Sequence, residues 1–168
     1  ARHECLPVPM LNSVSLERKE AIDLAVRHGA PVVASAAGEH DLPCDTDGRL
    51  DNLARLMGLL QDAGMGHGLI HIDPLVLPIA TDSRNALGFL EAVRAVRGKY
   101  GPAIHIVGGF SNVSFGMPCR KLINAVFTRL ALEAGADGGI VDPFQINLRA
   151  LDQLDPAEPD YVMAQRLL

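Results

Sequence analysis

Apolar residues along this chain follow two rhythms. Short runs, often β-branched, end in polar residues and predict five strands: Pro7–Leu11, Pro31–Ser35, Gly68–Ile72, Ala103–Val107 and Gly138–Val141. Between them apolar positions recur every three or four residues, the period of a helix that buries one face. Leu16 to His28 carries Ile22, Ala25 and Val26 on one side and stops at Gly29, a residue that tolerates a left-handed C-terminus. Leu50, Leu53, Met57 and Leu60 mark a second helix ending near Gly64. Asp82 to Arg97 forms a third, closed by Gly98, and a fourth runs from Pro118 to Ala134 and stops at Gly135. A weaker pattern covers Pro159 to Leu168. The alternation is that of a parallel α/β protein, and the ~30–40 residues between strand ends suit the βα units of either a barrel or a doubly wound sheet.

Composition narrows the function classes. With 168 residues, 48% apolar and 21% charged, and neither repeat nor linker, the chain reads as a single domain over 1–168 with a real core. The longest apolar stretches, such as Leu75 to Ala80, fall far short of the ~20 residues of a membrane span. The N-terminus lacks the pattern of a secretory signal, so a cytoplasmic protein is expected. Fifteen basic against 20 acidic residues, with no basic block, give no footprint for nucleic acid. Cys5, Cys44 and Cys119 are scattered and read as reduced thiols. Gly64, Gly66 and Gly68 precede a strand rather than follow one, so they are a turn and not a dinucleotide fingerprint.

Candidate chemistry sits where the strands end. Asn12, Asp73, Asn112 and Asp142 each follow an apolar run, at the end of the sheet where parallel α/β proteins bind ligands. Any one of them alone is explained by a turn or a helix cap; four together point to a site. The set lacks a nucleophile elbow, a zinc motif and paired cysteines, and consists of amides and carboxylates. Such groups suit a flat heterocycle: a carboxylate accepts from a ring N–H and its neighbouring amino group, and an amide both donates and accepts. The amino-pyrimidinone edge of a pterin presents that pattern.

The segments around these residues carry a resemblance. Asn12-Ser13-Val14-Ser15-Leu16-Glu17, Ile72-Asp73-Pro74-Leu75-Val76-Leu77-Pro78, Gly109-Phe110-Ser111-Asn112-Val113-Ser114-Phe115-Gly116 and Ala134-Gly135-Ala136-Asp137-Gly138-Gly139-Ile140-Val141-Asp142-Pro143 resemble the methyltetrahydrofolate:corrinoid methyltransferases of the pterin-binding, dehydropteroate synthase-like superfamily. The similarity extends over roughly Pro9 to Pro143. Dehydropteroate synthases carry Ser-Arg-Lys where this chain has Ser111-Asn112, which disfavours that reaction. The folate domain of cobalamin-dependent methionine synthase shares the Ser-Asn-Val-Ser-Phe-Gly segment but typically has Val-Asn in place of Val141-Asp142.

The resemblance implies a (β/α)8 barrel of the TIM type, of which about strands 3 to 7 are visible, so that the chain is a fragment or an incomplete part of the protein. It implies methyl transfer between N5 of (methyl)tetrahydrofolate and the cobalt of a corrinoid, by direct displacement. Asn12, Asp73, Asn112, Ser114 and Asp142 would bind the folate, Asp73 reading N3–H and the 2-amino group. Asn112 would lie near N5 and act in catalysis by stabilising developing charge. Arg120, an arginine common in the family, is a candidate anion contact; a solvated surface position is the alternative. No Asp-x-His-x-x-Gly motif ligates a corrinoid, so that cofactor would arrive on a partner protein, and a homodimer is admitted. His71 shares the face of Asp73, as a buried hydrogen-bonded histidine or a proton relay, and Phe115 replaces a Gln frequent in the family. A non-catalytic pterin-binding or interaction domain, and the folate domain of a methionine synthase-like enzyme, stay open beside the enzyme.

Overall fold

The pleat of a central sheet sorts the side chains into two populations. The computed structural model describes residues 8–43, 45–144, 146 and 148–168. Four parallel strands, β1 (Leu11–Val14), β2 (Val32–Ser35), β3 (Ile70–Asp73) and β4 (His105–Ile106), pair in sequence order. Val14, Val32, Ala34, Ile70, Ile72 and Ile106 point to one face and are wholly buried. They meet the apolar stripes of α2 (Thr46–Asp62), α3 (Asn85–Tyr100) and α4 (Arg120–Ala134), through Leu53, Leu56, Met57 and Leu60, then Phe89, Val93 and Val96, then Ile123, Phe127 and Ala131. Each fully buried aliphatic or phenyl group contributes ~1.5–3 kcal/mol. The opposite face, bearing His71, Asp73 and His105, is only partly covered. A doubly wound sheet would have helices on both faces; one helical layer and one open face are those of an incomplete (β/α) barrel.

Where the elements depart from expectation, a particular residue is responsible. The first helix, α1 (Ala21–His28), starts five residues later than its apolar pattern, and Gly29 closes it with φ 60°, as expected. Gly98 does not stop α3; the left-handed residue is Gly101, at φ 66°, where Arg97 Nη1 donates to the carbonyls of Gly101 (2.6 Å) and Ile104 (2.8 Å). Pro118 lies ahead of α4, whose N-cap is Cys119 at φ 54°. A short α5 (Leu148–Leu151) escaped the reading of the sequence, whereas α6 (Pro159–Leu167) packs Tyr161 and Ala164 on Val126 of α4.

The expected first and fifth strands are corrected. β1 begins at Leu11, and Pro7 and Cys5 lie outside the described residues, as does Cys44. Asn12 therefore stands inside the strand. Its partner is Val33 while Val14 pairs with Ala34, so Ser13 is an extra residue that reverses the alternation. Residues 138–141 run beside β4 without forming a strand: the amides of Gly138 and Ile140 donate to Ile106 (3.3 Å) and Gly108 (2.9 Å), but the Ile106 amide is taken by the Asp137 carboxylate at 2.8 Å. A side chain occupies the place of a ladder carbonyl.

One buried cation joins the helical layer to the sheet. Arg49 sits in the apolar stripe of α2 and is 1% exposed; its Nε donates to the Pro74 carbonyl at 3.1 Å. Gly88 of α3 leaves room for it, since a Cβ there would lie 3.0 Å from Arg49 Nη1 and 3.4 Å from Thr46 Oγ1. Helix propensity alone favours Gly88→Ala by ~1 kcal/mol, but overpacking a tethered side chain costs ~1–3 kcal/mol. Gly88→Ala is therefore expected to lower stability, by about 1 kcal/mol net, in urea denaturation; a gain in stability would show that Arg49 yields freely.

Candidate functional site

The strand-end residues emerge at one end of the sheet. Asp73 closes β3 opposite Ser35, the last residue of β2. The loops that follow β3 and β4 are joined by Ile79 N–H donating to Val113 O (3.0 Å), which puts Asn112 at the same end. Ser111 Oγ accepts a long bond, 3.4 Å, from the amide of Asp142. Asn12 lies one layer deeper, in the row of Val33, His71 and His105, and is exposed on the open face. The expectation of four residues on one rim thus becomes three at this end of the sheet and one on the wall below.

Asp73 is held in an unusual setting. Burial pushes its carboxyl up to about 6, against the opposing effect of the Leu75 amide, which donates to Oδ1 at 2.9 Å. Leu75 itself adopts φ 70°, a left-handed conformation that costs a leucine ~1–2 kcal/mol. That strain is fixed from both sides by the Asp73–Leu75 and Arg49–Pro74 bonds. A half-buried acid on a strained turn at the open end of a parallel sheet is the kind of setting in which functional groups cluster.

Asn112 is exposed at the end of a 3-10 turn, Phe110–Asn112, and its flanks are buried. Phe110, 1% exposed, packs edge-on against Phe89 (6.0 Å between centroids) and Phe127 (5.9 Å). Gly139 lets the Phe110 ring through, because a Cβ there would sit 2.6 Å from it. Gly109 does the same for the Asn112 amide, whose Nδ2 would lie 2.8 Å from an added Cβ.

The pterin binding enzyme family matches residues 6–142 of this chain. The chain belongs to the pterin-binding enzymes. Among its relatives, a methylcorrinoid:tetrahydrofolate methyltransferase of Eubacterium limosum is 35% identical over 109 residues, covering 61% of this chain and 40% of the relative. A methionine synthase of Mycobacterium leprae is 28% identical over 152 residues, 82% of this chain and 12% of the relative. The methionine synthase of Mycobacterium tuberculosis is 31% identical over 130 residues, 73% of this chain and 11% of the relative. The chain spans less than half the length of each of them.

Two residues of this pterin-binding chain stand elsewhere than their motif suggests. Ser114 is fully buried: its Oγ donates to Asn124 Oδ1 (2.6 Å) and accepts from Arg120 Nε (3.1 Å). It supports the loop from beneath and reaches no solvent. Arg120 is turned to that same loop, with Nη2 on the Ser111 carbonyl at 3.0 Å and the guanidinium 5.9 Å from the Phe115 ring centre. Phe115 itself is 67% exposed.

His71 is not hydrogen-bonded among the described residues, contrary to expectation. It stacks on His105, ring centres 4.5 Å apart at 14°. Burial lowers its pKa, and His105 adds to that while Asp137 opposes it. His105 Nδ1 lies 3.2 Å from Asp137 Oδ2, which also accepts from Arg97 Nη2 at 3.3 Å. The stack therefore favours a neutral His71 and closes the inner wall below Asp73. Arg49, Asn124 and Asp137 carry this scaffold; Arg49 and Asn124 went unnoticed in the sequence, and Asp137 stood in its motif without a role. The one available signal was a charged residue, Arg49, in register with Leu53, Leu56 and Leu60. Among the described residues no helix is long and apolar enough to cross a membrane.

Proposed function

We propose that this chain is the folate-binding part of a methyltransferase that moves a methyl group between N5 of (methyl)tetrahydrofolate and the cobalt of a corrinoid carried by a partner protein, and that residues 1–168 act as one barrel domain within it. The observation that carries the reading is the placement of the half-buried Asp73 and Asp142 and the exposed Asn112 at one end of the sheet, with Asn12 on the wall beneath. The donor set fits a pterin: Asp73 accepts from N3–H and the 2-amino group, Asn12 and Asp142 complete the ring edge, and Asn112 donates toward N5. The name of the Eubacterium limosum relative supports the same pair of reactants.

The corrinoid supplies a nucleophilic or methyl-bearing cobalt; this chain supplies orientation and charge stabilisation. As the carbon–nitrogen bond at N5 breaks, electron density accumulates on that nitrogen, and a neutral amide fixed beside it stabilises the change without having to reorganise. Ser114 and Arg120 serve the loop rather than the ring. A second reading, the folate-binding unit of a methionine synthase-like enzyme, is favoured by the larger share of this chain that the mycobacterial proteins match; it assigns the same roles to the same residues.

The test is absorbance-monitored transfer from methyltetrahydrofolate to cob(I)alamin, and from methylcobalamin to tetrahydrofolate, with the full-length protein. Transfer in either direction supports the proposal. Tight folate binding with no transfer in either direction would leave a pterin-binding domain without this catalysis and overturn it.

A further inference from the structure

We infer that Arg120 is a positioning residue, acting on methyl transfer through Asn112 and not by touching folate; this rests on the reaction proposed above. Asn112 belongs to a loop that no strand holds. The Asn112 backbone itself makes only short-range turns, with its amide on Gly109 O (3.0 Å) and its carbonyl accepting from Phe115 N–H (3.0 Å), and the one longer backbone bond beside it runs from Ile79 N–H to Val113 O (3.0 Å). Side chains complete the hold on the Asn112 amide, and Arg120 grips the loop on both sides of it. Nε donates to Ser114 Oγ at 3.1 Å and Nη2 to Ser111 O at 3.0 Å. Ser114 is in turn hydrogen-bonded to the wholly buried Asn124 of α4 at 2.6 Å. The guanidinium spans the three-residue chord from Ser111 to Ser114 with Asn112 at its crest.

The placement of this arginine is otherwise unfavourable. It is the first residue of α4, where a cation opposes the helix dipole. A lone ammonium could match the charge but not the two-pronged geometry, because only the planar fork donates in two fixed directions at once. The same hydrogen bonds tie the Asn112 loop to a helix whose Phe127 packs on Phe110 at the other end of the turn. The loop is thus fixed at Phe110 by packing and at Ser111 and Ser114 by Arg120, and a displacement of ~1 Å at a reacting group is enough to cost ~10²-fold in rate.

A double-mutant cycle between Arg120 and Asn112 in the full-length protein tests this, reading the single-turnover transfer rate to cob(I)alamin and folate affinity by calorimetry. Arg120→Ala is expected to slow transfer ~10–100-fold with folate Kd changed by less than ~3-fold, and to cost less than ~2-fold when added to Asn112→Ala. Arg120→Lys retains charge and stem, guards against loss of folding, and is expected to fall nearly as far. The inference is overturned by an equal rate loss in both backgrounds, by full rescue with lysine, or by a loss confined to Kd that grows with the number of glutamates on the folate tail. The last outcome would mark an anion contact. A wild-type protein that transfers no methyl at all overturns the proposed reaction and this inference with it, and is told apart by the absence of any rate for Asn112→Ala to reduce.

Discussion

Asn112→Ala should slow methyl transfer by ~10²-fold or more while weakening folate binding much less, because in the proposed reaction its amide meets charge that exists only as the bond to N5 breaks. A well-placed donor of this kind is worth ~3–4 kcal/mol in the transition state. The surroundings suit that function: the amide is exposed, and the turn that carries it is fixed by Phe110 in the core. Single-turnover transfer isolates the chemical step, and equilibrium folate binding to the same variant supplies the control. Equal losses in rate and affinity would make Asn112 a uniform binding residue. No loss in either would remove it from the site.

Asp73→Asn should move binding and stability in opposite directions. In the proposed pose the carboxylate accepts from two pterin donors, so the amide is expected to weaken methyltetrahydrofolate binding by ~1.5–3 kcal/mol in calorimetry above pH 6. The acid titrates near 6 in the folded chain against an ordinary value of 3.8. Between those values the native state keeps a proton that the unfolded state has lost, so stability falls as pH rises through the window, with the penalty absent below it and complete above it. At ~1.4 kcal/mol per unit, discounted for partial solvation, the penalty is about 1–2 kcal/mol at pH 8. Ligand-free Asp73→Asn is therefore expected to be more stable than wild type at pH 8 by that amount and equal to it near pH 3, while wild-type folate affinity rises with pH through 6. The Leu75 turn survives, since an asparagine oxygen still accepts the Leu75 amide. Unchanged affinity would confine Asp73 to that turn.

Local patterns in the sequence were a good guide wherever one residue decides the outcome by itself. Gly29 and Gly135 stop their helices because each must adopt a positive φ there, 60° and 115°. The apolar period of α2, α3 and α4 is the burial pattern itself. Long-range pairings were not legible. Nothing near Gly98 reveals that Arg97 would cap the carbonyls of Gly101 and Ile104 and carry the helix onward. Likewise, Gly138–Val141 has the composition of a strand, but an Asp137 carboxylate 31 residues from Ile106 takes the amide that a strand would have needed. The motif around Asn112 indicated which residues belong together but not their depth. Ser114 and Arg120 look like ligand contacts in one dimension, and in three they hydrogen-bond to each other and within their own loop.

The extra residue in β1 makes chain length, rather than residue identity, the sensitive variable at that point. Asn12 and Val14 are two apart in number, yet one looks onto the open face and the other into the core, because Ser13 breaks the parity between them. Most side chains at position 13 leave the count intact. At this chain length strict alternation would put Asn12 and Val14 on one face, driving an amide into the helical layer or turning a valine out of it, whereas removing Ser13 itself would leave both on the faces they now occupy. Loss of Ser13 is therefore expected to be better tolerated, in urea denaturation, than loss of Val14, which takes a wholly buried side chain from the core.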